Sequence, residues 1–194
     1  MNKLDKSDLL TLEEYSSIRE QTKKKELAIK KNRRIHIGGN VSLLFENSDT
    51  IKYQLQEMLR IEKIIEPSRI EEELFFYNSL IPNGSNLKAT MLIEFPNQEV
   101  TREKLSQLIG IEDKVWLKVG ENDRVFGIAD ENLNRKTEDE TSAEHFLRFE
   151  LSNLITKDLK SGDTLFAGID HQNYNVRTQE ISQSISDSLS KDLT

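Results

Sequence analysis

Three histidines are the first candidates for chemistry in this chain, and two of them close or interrupt strand-like runs. In "TSAEHFLRFEL", residues 141–151, His145 shares one face with Leu147, Phe149 and Leu151, while Glu144, Arg148 and Glu150 share the other. In "TLFAGIDH", His171 ends a second such run. If the two segments are antiparallel neighbours joined through "SNLITKDLKSGD", Leu151 meets Leu165, Phe149 meets Ala167, Leu147 meets Ile169 and His145 meets His171. Directly opposite residues have Cβ atoms about 4.5–5.5 Å apart, close enough for two imidazoles to share one metal or one acidic ligand. Asp130 reaches the same rim if "RVFGIAD" pairs on the other side of the 143–151 strand, with Glu144 and Asp170 near. Two histidines and a carboxylate suit iron(II), zinc or manganese. The same placement also suits a hydrogen-bonded pocket for a polar ligand, or two packed core histidines. His36 falls beside Arg34 on the polar face of its segment and reads as a surface residue.

Other polar groups are spaced to act together. Glu57 and Arg60 stand three apart, and Gln56 and Arg60 four apart, so each pair can share a helix face. "NSLIPNGSNLK" gathers Asn78, Asn83, Asn86 and Lys88 around a loop, a donor-rich rim for an anionic ligand. The plainer alternatives are a helix-surface ion pair and ordinary turn chemistry. Arg60, Asn78, Lys88, Glu144 and Asp170 are the candidate ligand-binding residues, and His145, His171 and Asp130 the candidate metal ligands. Residues 19–34 hold eight Lys or Arg against Glu20 and Glu26, a balance of +6 in a chain of net charge −7. That run either docks an anionic partner or solvates a helix that meets the protein's own acidic surface.

Several chemistries are excluded. Without cysteine there are no disulfides, thiolate metal sites or cysteine nucleophile. No glycine-rich phosphate loop, H-E-x-x-H, G-x-S-x-G or EF-hand spacing occurs, and no histidine completes an E-x-x-H pair. No serine is marked out as a nucleophile, and no catalytic residue is assigned; the reading leans away from an enzyme. The acidic balance argues against general nucleic-acid binding. Apolar runs are too short for a membrane span or a secretory signal, so the expectation is a soluble cytoplasmic protein.

The elements that must hold these residues can be read from spacing. Thr11 and Glu14 form a capping box, predicting a helix that fades near Lys31–Asn32. "RRIHIGGNVSLLFEN" predicts a hairpin. Ile51, Leu55, Met58, Leu59 and Ile65 form an apolar stripe, predicting a helix capped by Ser48 or Asp49 and ended before Pro67. A second helix follows, capped by Ser68 with Glu71. The second half reads as strands: "KATMLIEF", "KVWLKV", "RVFGIA", "EHFLRFEL" and "TLFAGID", with a helix from Thr101 to Gly110 and a turn at "GEND". Ile181, Ile185, Leu189 and Leu193 lie four apart, a thin helical stripe in a serine-rich background that reads as a helix docked on a groove or, alternatively, as a frayed end. The class is α+β: a largely antiparallel sheet with hairpins, packed against several helices. Residues 1–175 read as one domain and 176–194 as an amphipathic tail.

Several stretches, in order, resemble an uncharacterised bacterial family known only as a domain of unknown function: "LLTLEEY", "KKNRR", "LLFEN" followed by "YQLQEMLRIE", "YNSLIPNGSNLKATMLIE", "LIGIEDKVWLKV", "ETSAEHFLRFEL" and "GIDHQNY". They cover most of residues 9–174; the tail carries no such match. Members of that family are bacterial cytoplasmic proteins often encoded beside rubrerythrin-type and iron–sulfur oxidoreductase proteins. The resemblance implies an accessory role near iron or peroxide chemistry, and no catalytic residue.

Two functions are consistent with these observations. One is an accessory protein that binds a divalent metal (iron, zinc or manganese) or a small polar ligand at the histidine-bearing sheet edge. The other is an interaction module that docks a redox partner protein through its basic N-terminal helix.

Overall fold

A computed structural model describes residues 3–129 and 141–194, apart from the side chains of Gln98 and Glu99. The chain runs α1 (Leu12–Lys31), β1 (Arg34–Ile37), β2 (Val41–Phe45), α2 (Ser48–Ile61), α3 (Pro67–Ser79), β3 (Asn86–Ile93) and α4 (Gln98–Ser106). It continues β4 (Val115–Val119), β5 (Val125–Phe126), β6 (Ile128–Ala129), β7 (Glu144–Glu150), α5 (Asn153–Ser161), β8 (Leu165–His171), β9 (Tyr174–Arg177) and α6 (Gln183–Ser190). The strands form two antiparallel sheets, in the orders β1-β2-β3-β7-β6 and β5-β4-β8-β9. The class is α+β, as expected.

Strand alternation divides the five-stranded sheet cleanly. Odd-numbered residues such as Leu43, Phe45, Leu87, Met91, Leu147 and Phe149 join a core shared with Val115, Leu117, Leu165, Ala167 and Ile169 of the second sheet. Even-numbered residues face the other way. Among them Phe146 packs edge-on against Phe76 of α3, where α2 and α3 bury Ile51, Leu55, Leu59 and Leu74 in a second cluster. The docked tail expected from the sequence is present: Leu189 and Leu193 are buried in the main core, with Ile181 and Ile185 packed against it.

Local chemistry explains most boundaries. Thr11 and Glu14 cap α1 reciprocally, and Asn32 ends it. The cap of α2 is Asn47 with Thr50, not Ser48 or Asp49. Pro67 does not follow a helix; it opens α3 at the first helical position, so the Ser68 box is not used and Ile65 lies exposed between the two helices. Likewise Asn97 caps α4 four residues before Thr101.

The segment "RVFGIA" is not one strand. β5 pairs with β4, and β6, after the single residue Gly127, pairs with β7 in the other sheet. A Cβ at Gly127 would stand 3.1 Å from the Phe149 ring, so a small residue suits the transfer point.

Candidate functional site

The expected pairing of β7 with β8 does not form. β7 lies between β3 and β6, β8 lies between β4 and β9, and the two strands belong to different sheets. His145 therefore stands opposite Met91, and His171 opposite Tyr174. The physical reason lies in the connection. Ser152 caps a helix and Gly162 ends it in the left-handed conformation, so α5 (Asn153–Ser161) forms between them and carries the chain across to the second sheet. Ile155 and Leu159, four apart, were the helical signal inside a segment read as a turn.

Each imidazole is buried and has its own partners. His145 Nε2 lies 2.9 Å from the Ser142 carbonyl oxygen and 3.0 Å from Thr141 Oγ1, which is 3.5 Å from Glu112 Oε2. His171 Nε2 lies 3.2 Å from the Ile109 carbonyl oxygen, and its Nδ1 accepts from the Asn173 amide at 3.2 Å. These bonds fit the neutral tautomer of His171 with the proton on Nε2. Asp130 lies outside the described residues. Among the described residues no group of three His, Asp or Glu could hold a metal ion.

The other candidates are dispersed. Asp170, on the outer face of the second sheet, accepts from Trp116 Nε1 at 2.9 Å and from Arg124, whose guanidinium stacks on the Trp116 ring. Glu144 is half-buried opposite Leu92, its amide donating to Ser142 Oγ. Asn78 clamps the N-terminal segment: its Oδ1 accepts from the Leu4 amide at 2.7 Å and its Nδ2 donates to the Leu4 carbonyl at 2.8 Å. Gln56 repeats the clamp on Leu10.

Arg60 belongs to a network that joins α1 to α2. Glu57 Oε1 accepts from Tyr15 Oη at 2.7 Å and Arg19 Nε at 2.8 Å, and its Oε2 accepts from Arg19 Nη2 at 3.0 Å and Arg60 Nη2 at 3.1 Å. The hydrogen bonds from Arg19, helped by Arg60 and Tyr15, hold the Glu57 carboxyl down at about 2 against an ordinary 4.5. Burial, and then the Glu57 carboxylate, push the Tyr15 phenol upward. Because the folded-state value of Glu57 is depressed, its contribution is complete above about pH 4.5 and is lost as pH falls towards 2. Glu57→Gln should lower stability by about 2 kcal/mol at pH 7 and flatten the acid limb between those values, in urea denaturation followed against pH. Equal acid limbs for the two proteins would refute this role. In α1, Arg19 and Lys30 thus meet the protein's own Glu57 and Glu26, while Lys23, Lys24 and Lys25 face solvent.

Of the sequence candidates, Lys88 does line a cavity. A cleft of about 420 Å³ opens on the even-numbered face of the five-stranded sheet, beneath the C-terminal end of α3. Its polar lining is Glu46, Ser79, Lys88 and Arg148, and its apolar walls include Leu80, Ile128 and Phe146. Lys88 and Arg148 stand directly opposite one another on β3 and β7. Like charges in that register destabilise a strand pair. Arg148 pairs with Glu150 and Lys88 donates to the Ser79 carbonyl.

Glu46 is buried, and its carboxylate accepts only from neutral donors. Thr90 Oγ1 at 2.6 Å and Gln54 Nε2 at 3.1 Å donate to Oε1; Thr50 Oγ1 at 2.5 Å and Gln54 Nε2 at 3.0 Å donate to Oε2. No lysine or arginine among the described residues forms an ion pair with it. Lys88 stands beside it across the sheet, its carbonyl accepting from the Glu46 amide at 2.8 Å.

Glu46 and Arg148 were not candidates on sequence. A signal was present: "LLFEN" places an acid at the end of an apolar strand, on the same sheet face as Lys88 and Thr90 of the neighbouring strand. It becomes legible only once β2, β3 and β7 are known to be neighbours.

Comparison with known proteins agrees with this fold. A crystal structure of a novel protein of unknown function from Burkholderia pseudomallei K96243 is 45% identical, covers 100% of both chains and superposes with a TM-score of 0.95. No curated protein matches. The family model described as "Protein of unknown function (DUF3501)" matches residues 3–193, including the C-terminal tail. The chain belongs to this family.

Proposed function

We propose that the protein binds a small polar ligand in the cleft beneath α3, at Glu46, Lys88 and Arg148. The observation that supports this reading is the lining of the cleft: three charged side chains, Glu46, Lys88 and Arg148, converge there from three neighbouring strands beside the apolar Leu80, Ile128 and Phe146. Concave cavities into which a few polar groups converge are the usual form of small-molecule sites. The histidines do not enter the site, since neither His145 nor His171 lines the cleft.

Ile128 is 46% exposed and sits on the short strand that forms one wall, so a larger side chain is tolerable there and would fill the opening. A library of small polar metabolites, screened by thermal shift and ligand-observed NMR, should yield binders of the wild-type protein. A ligand present at about 100 times its Kd adds about 2.7 kcal/mol of stability, a rise of several degrees in Tm. Ile128→Trp should keep the fold and lose those binders. If every binder is retained by Ile128→Trp, or none exists, the cleft is not the site.

A further inference from the structure

We infer that the protein pairs with a second copy of itself about a two-fold axis, the basic outer face of α1 in each copy seated on the acidic outer face of α3 in the other.

The two faces carry one pattern with opposite signs. On α1, "KKKEL" sets Lys23 and Lys24 four and three residues before Leu27, and Lys31 follows four residues after it. On α3, "EEELF" sets Glu71 and Glu72 four and three residues before Phe75. Residues three and four apart are neighbours on a helix surface. A large apolar side chain therefore stands among cations on one helix and among anions on the other. Both are turned out of the core. Glu26 and Leu74, the residues just before them, are buried, and successive residues stand roughly 100° apart round a helix. Leu27 is left 61% exposed and Phe75 84%. Lone exposed apolar residues are ordinary. What sets these two apart is that each is surrounded by charges of one sign, and the signs are opposite.

The charges are available. Among the described residues Lys23, Lys24 and Lys31 form no ion pair, unlike Arg19 and Lys30 of the same helix. Glu72 forms none either, and Glu71 meets Lys6 in an exposed pair, which contributes little. The nearby charges of the other sign are Glu20, which leans on Arg19, and Arg69, six residues before Phe75 and round the helix from it.

The partner that fits both faces is the chain itself. α1 and α3 both pack on α2, so one group of helices presents the two faces. Two copies related by a two-fold axis make the contact twice, α1 on α3 and α3 on α1, and leave neither face unmatched. Opposite potentials set the orientation and speed the encounter, while the apolar centres supply the strength, with Phe75 as the anchor. None of these residues lines the cleft beneath α3, so the pairing stands or falls apart from the ligand reading.

Sedimentation equilibrium of the full chain tests the pairing. Over roughly 5 to 500 μM protein in about 0.05 M salt a monomer–dimer equilibrium is expected, and about 0.5 M salt should weaken it by about tenfold or more. Reversing one face, in Lys23→Glu, Lys24→Glu, Lys31→Glu or in Glu71→Lys, Glu72→Lys, should weaken the dimer by about tenfold or more in either variant. An equimolar mixture of the two variants should restore it, because each reversed face then meets a reversed face and each native face a native one. Phe75→Ser should weaken the dimer at both salt concentrations. All six substituted residues are exposed, and a circular-dichroism melt of each variant checks the fold. Phe75→Ser leaves every charge in place and carries the test if a reversed variant does not fold.

A wild type that stays monomeric over the whole range overturns the proposal. So does a mixture that stays monomeric after each variant alone has lost the dimer, for then the two faces do not meet each other. A dimer that survives both reversals, or survives Phe75→Ser unchanged, lies on another surface and overturns it too. Growth beyond the dimer overturns the two-fold arrangement.

Discussion

Removing either partner of the buried Arg33–Asp192 pair is expected to cost about 3–5 kcal/mol, the largest effect of any single polar substitution in this chain. Both side chains are almost fully buried, 2% and 3% exposed. Arg33 lies between α1 and β1, and its guanidinium reaches three separate parts of the fold. Nε donates to the Phe45 carbonyl at 2.8 Å, Nη2 donates to the Glu46 carbonyl at 3.1 Å and to the Asp192 carboxylate, and Nη1 donates to the Ser188 carbonyl at 3.2 Å. It therefore ties the end of β2 to α6 and the tail beyond it.

The two single variants fail for different reasons. In Asp192→Ala the guanidinium stays charged in the interior, because arginine does not give up its proton. In Arg33→Met the remaining acid can escape by protonation, since burial already pushes the Asp192 carboxyl upward against the pull of Arg33. The second variant, however, also strands the three carbonyl acceptors. Urea denaturation should show both losses, and the double variant Arg33→Met, Asp192→Leu should recover part of them, because two apolar groups leave no orphaned charge. Single losses below about 1 kcal/mol would mean that the pair is not a structural tie.

A second large effect is expected at Gly168. This glycine pairs with Trp116 across β8 and β4, and the indole lies directly over it. A Cβ there would stand 2.2 Å from Trp116 Cζ2 and 2.5 Å from Cε2, well inside van der Waals contact with a rigid ring. The ring has little freedom to yield. Its Nε1 donates to Asp170, Arg124 covers its outer face, and it is 1% exposed. Gly168→Ala should therefore force the indole out of this stack at a cost of about 1–3 kcal/mol or more, lowering Tm by several degrees. Gly168→Ala together with Trp116→Leu should recover much of that loss, as a smaller side chain makes room. A Gly168→Ala protein that melts with the wild type would show that the indole has another place to go.

How far these features were legible in the sequence depends on whether the signal was local. The capping box of Thr11 and Glu14, the hairpin around Gly38–Gly39–Asn40, and the four-residue spacing of the tail each act within a few residues, and each element formed as read. The errors are of two kinds. Competing caps shifted boundaries: Asn47 displaced Ser48, and Pro67 served as a helix start where it had been read as a stop. Tertiary partners were misjudged where one segment had two plausible structures. Residues 152–162 could be a long turn or a short helix, and that choice decided whether His145 and His171 met. The cleft itself depends on which strands are neighbours, and no local pattern announces that β7 lies beside β3. Lys88 was found through its loop chemistry, Glu46 and Arg148 only through the sheet.

The switch of one strand between two sheets at Gly127 has a practical side. β6 forms a wall of the cleft, and two residues before Ile128 lies Phe126, which pairs across β5 and β4 with Trp116, the chain's single tryptophan. Three consecutive residues of backbone would then separate a ligand in the cleft from the strand neighbour of the indole. The protein carries its own optical label a few bonds from the place where a ligand would press, so titrations can be followed by native emission without dye or tag.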